Sequence, residues 1–281
     1  MITVLFPSDY FDQNKPDVGF IKEYRAAAEN QIHVLLFSYD EFLEDGKLRL
    51  KSDTSLTCPV IYRGWMLKPE KYAELYHKLQ DMDLRLITSP REYKRMHSFP
   101  EIYPELTEDT APMIVFEDPE KIDYEQIRKS FRKCMVKDFV KSVKGTDFPK
   151  CIRTDIGEDE FRRLIKKFLS YRGELYTGGI CIKEFLELKR YNEKTNEYRV
   201  FYCNNQAITI SRNSGQPECL PQPPEVMIKK YSSLKSPFYT VDYAETADGC
   251  WKIIEAGDGQ VSGLSDFQDA FSFYGKLSLI F

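Results

Sequence analysis

A small parallel α/β unit followed by a larger antiparallel α+β unit is the fold class this sequence predicts. Up to about residue 100, short apolar strands alternate with helical patterns, which argues for a parallel sheet with crossover helices. Beyond that point the strands are longer, alternate in polarity and recur as hairpins, which argues for antiparallel sheets. At 281 residues the chain has room for one large or two modest domains. We place the boundary at 103, giving units 1–103 and 104–281.

The first unit opens on the apolar strand ITVLF (2–6), followed by a helix over 17–30 and a second strand, IHVLLF (32–37). PVIYRG (59–64) and LRLI (84–87) supply two more strands, with a helix over 69–79 between them. Another helix is expected to open at Ser89, with Ser89 as its cap and Pro90 in its first turn. Residues 104–120 carry acids and prolines and are expected to connect the units. The second unit has expected strands at 134–142, 179–189, 197–211, 238–244 and 250–256. No internal repeat or low-complexity segment interrupts it.

Composition excludes several classes of function. With 42% hydrophobic and 30% charged residues the chain is an ordinary globular protein, and no apolar run approaches the roughly 20 residues of a membrane span. The first residues lack a basic lead and are expected to form a buried strand rather than a signal peptide. Seven cysteines, odd in number and widely spaced, fit neither a disulfide framework nor a zinc site, so a reduced, cytoplasmic protein is expected. Three scattered histidines make histidine-centred metal or triad chemistry a poor expectation, and His97 is the one to watch. Charge is uneven: Lys121–Arg153 holds ten Lys/Arg against four Asp/Glu, whereas Asp242–Phe281 holds two against seven. Such runs are usually solvated faces, but they also suit a phosphate-binding wall opposite a metal-binding wall.

The stretch FYTVDYAETADGCWKIIEAGDG contains Asp248-Gly249, the strongest short hairpin signal in the chain. A two-residue turn there puts Asp242 opposite Glu255, Glu245 opposite Lys252 and Tyr243 opposite Ile254. Two carboxylates on neighbouring strands, with Cβ atoms about 5 Å apart, repel unless a cation lies between them or one is protonated. Oxygen ligands at a rigid hairpin suit Mg²⁺, which takes one or two carboxylates and completes its shell with waters and phosphates. In the alternative register both acids face solvent.

MVKDFVKSVKG (135–145) continues the pattern. Strand periodicity puts Lys137, Phe139 and Lys141 on one face, with the two lysines roughly 13 Å apart, far enough to touch different phosphates of one triphosphate. Lysines protecting an exposed edge strand would look the same. In EYRVF (197–201), Arg199 shares a face with Glu197; it can clamp a phosphate or carboxylate, or simply pair with that acid. Neither GxxxxGK[ST] nor GxGxxG occurs, which excludes P-loop and Rossmann phosphate binding.

In this order, IKEFL, EYRVF and VDYAETADGCWKIIEAG resemble an ATP-grasp ligase, with its hinge, acid-x-Arg strand and final metal-binding hairpin. More particularly, MVKDFVKS, YRGWML and IIEAGDGQVSGL are similar to the ATP-grasp clade of bacteria and phages named for an arginine and two lysines. The resemblance covers nearly the whole chain and implies a pre-ATP-grasp α/β domain followed by an ATP-grasp domain. It also implies ATP and Mg²⁺ as cofactors. On it, Lys137 and Lys141 contact ATP phosphates, and Lys183, Glu184, Phe185 and Leu186 form the adenine hinge. Arg199 steadies the transferred phosphate, with Lys141 beside it as a catalytic group. Asp242 and Glu255 hold Mg²⁺. Where the family places a metal-binding Asn this chain has Gly257, so either Asp258 or Gln260 is expected to substitute or the second metal is expected to be held more weakly. The flap after the first lysine strand is reduced to Ser142–Gly145.

The reaction implied is phosphorylation of a carboxylate and displacement by an amine, making an amide or peptide ligase. Nucleic-acid end joining, with RNA as one acceptor, through a lysyl-AMP is the alternative from another class, favoured by the basic run and abundant aromatics. A non-catalytic nucleotide-binding module is a third, favoured by Gly257 alone. The acceptor itself is not legible. Arg63, Trp65, His97 and Tyr103 are candidates for its side of the site, each with a structural role as the stronger expectation.

Overall fold

In the computed structural model, which describes residues 2–51, 58–218 and 220–281, strand β1 (Thr3–Pro7) occupies the centre of a five-stranded sheet. A 3-10 turn capped by Asp17 leads into α1 (Ile21–Glu29), then β2 (His33–Phe37), α2 (Tyr39–Asp45), β3 (Leu50–Lys51) and β4 (Pro59–Tyr62). The unit continues with α3 (Pro69–Gln80), β5 (Arg85–Leu86), α4 (Pro90–His97) and α5 (Phe99–Ile102). The order is β3-β2-β1-β4-β5, parallel except for the edge strand β3. Both faces of β1 are covered. Val4 and Phe6 point into one core and Leu5 into another, which is why TVLFP carries no polar alternation. Ser89 and Glu92 close the expected cap reciprocally as a capping box.

The chain then forms β6 (Met113–Phe116), α6 (Tyr124–Ser130), β7 (Lys133–Asp138), β8 (Ile152–Arg153), α7 (Glu158–Arg172) and β9 (Ile180–Glu184). The stretch expected to be a connector therefore contributes a strand, because β9 needs β6 on its free edge. Strands β6-β9-β7-β8 make an antiparallel sheet. Cys134, Val136, Ile180 and Ile182 pack on α6 and α7, so Met135, Lys137, Cys181 and Lys183 occupy the opposite face.

A two-stranded hairpin of β10 (Arg190–Tyr191) and β11 (Lys194–Thr195) precedes β12 (Glu197–Cys203) and β13 (Gln206–Arg212). Those last two turn at Asn204-Asn205, both at positive φ, as a tight hairpin of this hand requires. The expected single segment 197–211 is thus two strands. After α8 (Glu225–Lys230), β14 (Phe238–Glu245) and β15 (Trp251–Asp258) complete the sheet β13-β12-β14-β15, and α9 (Ala270–Ser278) returns to pack on α1. Six cysteines are free; Cys219 lies outside the described residues.

Arg63, at the C-terminal end of β4, joins these layers and is 1% exposed. Its Nε and Nη2 donate to the Glu23 carboxylate at 2.7–2.9 Å, and Tyr274 donates to the same carboxylate at 2.7 Å. Nη1 donates to the carbonyls of Gly259 and Ser262 in the loop after β15. The guanidinium also lies over the rings of Phe201 and Phe273. Buried and held by these partners, it ties β4, α1, α9 and the 259–263 loop together. Removing one partner of a buried ion pair leaves the other charge uncompensated, at about 3–5 kcal/mol. Arg63→Ala is therefore expected to lower the urea-unfolding free energy by about that amount; a loss below about 1 kcal/mol would contradict the anchoring role.

Candidate functional site

A row of four residues crosses the large antiparallel sheet: Ser211 on β13, Arg199 on β12, Asp242 on β14 and Glu255 on β15 are successive cross-strand neighbours. The two acids stand opposite one another as the hairpin reading places them, although the turn differs. Asp248-Gly249 is not a two-residue turn; the strands close through a longer loop at Thr246–Cys250, and Glu245 pairs with Trp251 rather than Lys252. A bulge at Ile254 absorbs the one-residue difference and restores the Asp242–Glu255 pairing. Ile253 is pinned from outside by its amide bond to the Asp109 carbonyl (2.7 Å) and by the Thr110 hydroxyl on its carbonyl (2.7 Å), which fixes where the bulge falls.

Cations match both acids. Arg199 grips Asp242 bidentately, Nε to Oδ1 at 2.8 Å and Nη2 to Oδ2 at 2.7 Å, and donates Nη1 to the Gly263 carbonyl at 3.0 Å. Its partner is therefore Asp242, not Glu197. Burial works against the arginine's charge, but Asp242 overcomes it and raises the pKa. Glu255, whose side chain is 39% exposed and so open to a ligand, has Lys137 Nζ at 3.9 Å. Burial would raise its pKa; Lys137, Arg199, Lys144 and Lys183 outweigh that and hold it below the ordinary carboxylate range. The expected repulsion between the acids is thus answered by side chains before any metal is considered.

The lysines reach the site by a different path from the one periodicity gives. Strand β7 ends at Asp138, whose Oδ1 accepts from the amides of Val140 (2.8 Å) and Lys141 (2.6 Å) while Oδ2 accepts from Arg172 Nε (2.7 Å). This turn folds Ser142 back beside Lys137. Lys141 is therefore not four residues further along a straight strand from Lys137 but on a return segment, exposed and within the electrostatic reach of Glu255 and Arg199. Lys183 joins Lys137 on the same sheet face and is 4% exposed. Its Nζ donates to the Ile254 carbonyl at 3.1 Å, and burial together with Lys137 lowers its pKa to about 7. Much of the basic run pairs locally instead, as in Arg128–Glu125 and Arg153–Asp155.

Of the other hinge residues, Glu184 and Phe185 donate their amides to the Pro112 (2.9 Å) and Lys133 (3.0 Å) carbonyls, and Leu186 is half-buried where the chain leaves β9. Asp258 and Gln260 are not brought to the acid pair. Asp258 lies on the other face of β15, 1% exposed, its Oδ1 accepting from the Gln260 amide at 2.9 Å. Gln260 accepts from the Tyr62 amide and donates to the Tyr72 hydroxyl. Gly257 does share the face of Glu255, and a Cβ there would meet Ser262 Oγ and Thr240 Oγ1 only at ordinary contact distance. Among the described residues no group of three or more His, Cys, Asp or Glu is placed to hold a metal. Glu255, whose carboxylate is open, with the Arg199-held Asp242 carboxylate opposite it, still fits Mg²⁺, which needs few protein oxygens and takes the rest of its shell from water and phosphate.

His97 is buried and stacked on Tyr93, and burial with Lys141 nearby lowers its pKa to about 4. Trp65 is half-exposed and donates to Asp17; the Tyr103 hydroxyl accepts from the Met113 amide. Sequence reasoning missed the Lys183 side chain, counting only its backbone, and missed Phe99 beneath the lysines. Strand pairing alone reveals that Lys183 and Lys137 share a face, and no local pattern signals it.

Residues 73–277 match the model of an ATP-grasp domain family, family 3 of the clade named for one arginine and two lysines, and the chain belongs to that family. No curated protein sequence matches the chain. Among solved structures, the fold is similar to the D-cycloserine synthetase DcsG (15% identity, TM-score 0.63, covering 100% of this chain and 99% of that one). It is also similar to the ATP-grasp ligase PsnB complexed with minimal precursor (12%, 0.62, 99% and 98%). A third is the D-alanine–D-alanine ligase from Bacillus anthracis complexed with ATP (13%, 0.60, 99% and 95%). At such identities the likeness is one of fold.

Burial raises the pKa of Asp258 to about 7, and its Oδ2 is buried without a hydrogen-bond partner. A carboxyl whose folded pKa lies above its unfolded value gives stability that is present below the unfolded value and lost as pH rises through the folded one. Asp258→Asn is expected to remove that dependence. The unfolding free energy of the native chain should fall between about pH 4 and 7 by up to about 1.4 kcal/mol per pH unit more than that of the variant. Parallel pH profiles for the two proteins would contradict the assignment.

Proposed function

From the chain's membership of this arginine-and-two-lysine ATP-grasp family, and thus as an ATP- and Mg²⁺-dependent ligase, we propose that it joins a carboxylate to an amine through an acylphosphate. The observation that carries this reading is the convergence of Arg199, Lys137, Lys183 and Lys144 on the facing acids Asp242 and Glu255. One γ-phosphoryl group and its charge fit such a place better than any neutral substrate does. Residues 1–103 would serve as the pre-ATP-grasp part and 104–281 as the nucleotide-binding part, in a cytoplasmic protein. Among the described residues no helix is long and apolar enough to cross a membrane.

In this reading Lys137 and Lys141 hold the triphosphate, and the 183–186 segment takes the adenine through its backbone while the Lys183 ammonium stays beside Lys137 at the phosphates. Arg199, held in place by Asp242, steadies the transferred phosphoryl group. The substrate carboxylate oxygen attacks the γ-phosphorus, the bond to the bridging oxygen breaks, and ADP leaves. The amine then attacks the acyl carbon and releases phosphate, losing its proton. Mg²⁺, when bound by Asp242 and Glu255, supplies charge neutralisation at the phosphates. Positioning and charge, rather than covalent help, do the rest. PsnB was solved with a precursor peptide, which supports testing peptides first as acceptors.

One observation favours a second reading. Lys183, with its pKa lowered to about 7, has the character of a nucleophilic lysine, as adenylyl transfer to a nucleic-acid end would need. Incubation with Mg²⁺ and α- or γ-labelled ATP separates the two. The ligase reading predicts labelled phosphate from γ-labelled ATP only when acid and amine are both supplied, and no label retained on denatured protein. A stoichiometric AMP adduct on Lys137, Lys141 or Lys183 would overturn it.

A further inference from the structure

Two ammonium groups with few acceptors raise the question of what holds them. Lys137 and Lys183 are 6% and 4% exposed and carry three N–H donors apiece. Lys183 donates to the Ile254 carbonyl, and Lys137 has Glu255 only at 3.9 Å. Both Nζ atoms lie over one ring, that of Phe99, at 4.6 Å from its centroid for Lys137 and 4.4 Å for Lys183. An aromatic face attracts a cation within about 6 Å through its negative quadrupole, most strongly where water is excluded. Phe99 is 2% exposed.

The same residue is tied to the lysine turn through its backbone. Its amide donates to the Phe139 carbonyl at 2.8 Å, between Asp138 and Lys141. Phe99 belongs to α5, which precedes the sheet carrying Lys137 and Lys183, so a residue from outside that sheet fixes both the turn and the ammonium groups.

Resting on the nucleotide site read above, we propose that Phe99 is a positioning residue: its ring is the shared seat that holds the Lys137 and Lys183 ammonium groups together for the ATP phosphates. Phe99 itself touches no reacting atom. Its contribution is electrostatic, so ring charge matters and ring volume alone does not suffice.

Replacement of Phe99 by 4-fluoro- and 3,4,5-trifluorophenylalanine drains the ring face with little change of shape, and Phe99→Leu removes it. Two quantities are read for each protein: the Kd for Mg²⁺-ATP by calorimetry, and the rates at which acetic anhydride acylates Lys137 and Lys183 without nucleotide, by mass spectrometry. ATP binding is expected to weaken stepwise along the series, reaching about three- to thirtyfold at the trifluoro and Leu proteins, and acylation of both lysines to accelerate in the same order. A flat acylation series through trifluorophenylalanine overturns the proposal, whatever happens in the Leu variant, which also loses volume. If acylation responds but ATP affinity stays constant, the ring seats the lysines without serving nucleotide, and the proposal as stated falls. Should the native protein bind no ATP, the nucleotide reading fails, while a graded acylation response still upholds the seat and a flat one removes it.

Discussion

Two carboxylates side by side on neighbouring strands are tolerable only where positive charge answers them, and the pairing of Asp242 with Glu255 imposes that demand on everything around it. Arg199 answers Asp242 with a two-point grip from the next strand, and Lys137 approaches Glu255 from a different sheet. Cations from two sheets therefore have to meet at one hairpin. The result is a cluster whose charges the fold itself arranges, which on the proposed reading is the condition for effective electrostatic stabilisation of a transferring phosphoryl group.

Local devices with separable causes produce this meeting. The bulge at Ile254, fixed by Asp109 and Thr110, sets the acid register and turns the Ile254 carbonyl to Lys183. Asp138 ends β7 by capturing the amides of Val140 and Lys141, which brings the second lysine back instead of carrying it away. Arg63 holds the 259–263 loop, and Gly263 of that loop accepts from Arg199. A buried ion pair in the α/β unit thus bears on Arg199 through a single loop.

Much of this was legible in the sequence wherever the cause is local. Strand and helix alternation pointed to the parallel sheet, Ser89 with Pro90 announced its helix, and the hairpin arithmetic placed Asp242 against Glu255. Non-local causes were not legible. The hairpin loop and its bulge compensate one another, so the right pairing came with a wrong turn, and Lys252 does not face Glu245. Strand periodicity extended β7 past Asp138 because it takes no account of a side chain that satisfies its own backbone. The family resemblance made Asp258 a candidate ligand in place of the Asn missing at Gly257, yet the parity of β15 and its bond to Gln260 place it on the other side of the sheet.

Manganese, which replaces Mg²⁺ in oxygen-rich sites and is read by electron paramagnetic resonance, offers the most direct check of the acid pair as the metal site. In a titration of Mn²⁺ with ADP present, the free-ion signal should be depleted by the native protein and by Asp258→Asn alike, and not by Glu255→Gln. Retained binding in Glu255→Gln, or loss of it in Asp258→Asn with Glu255 intact, would contradict the account.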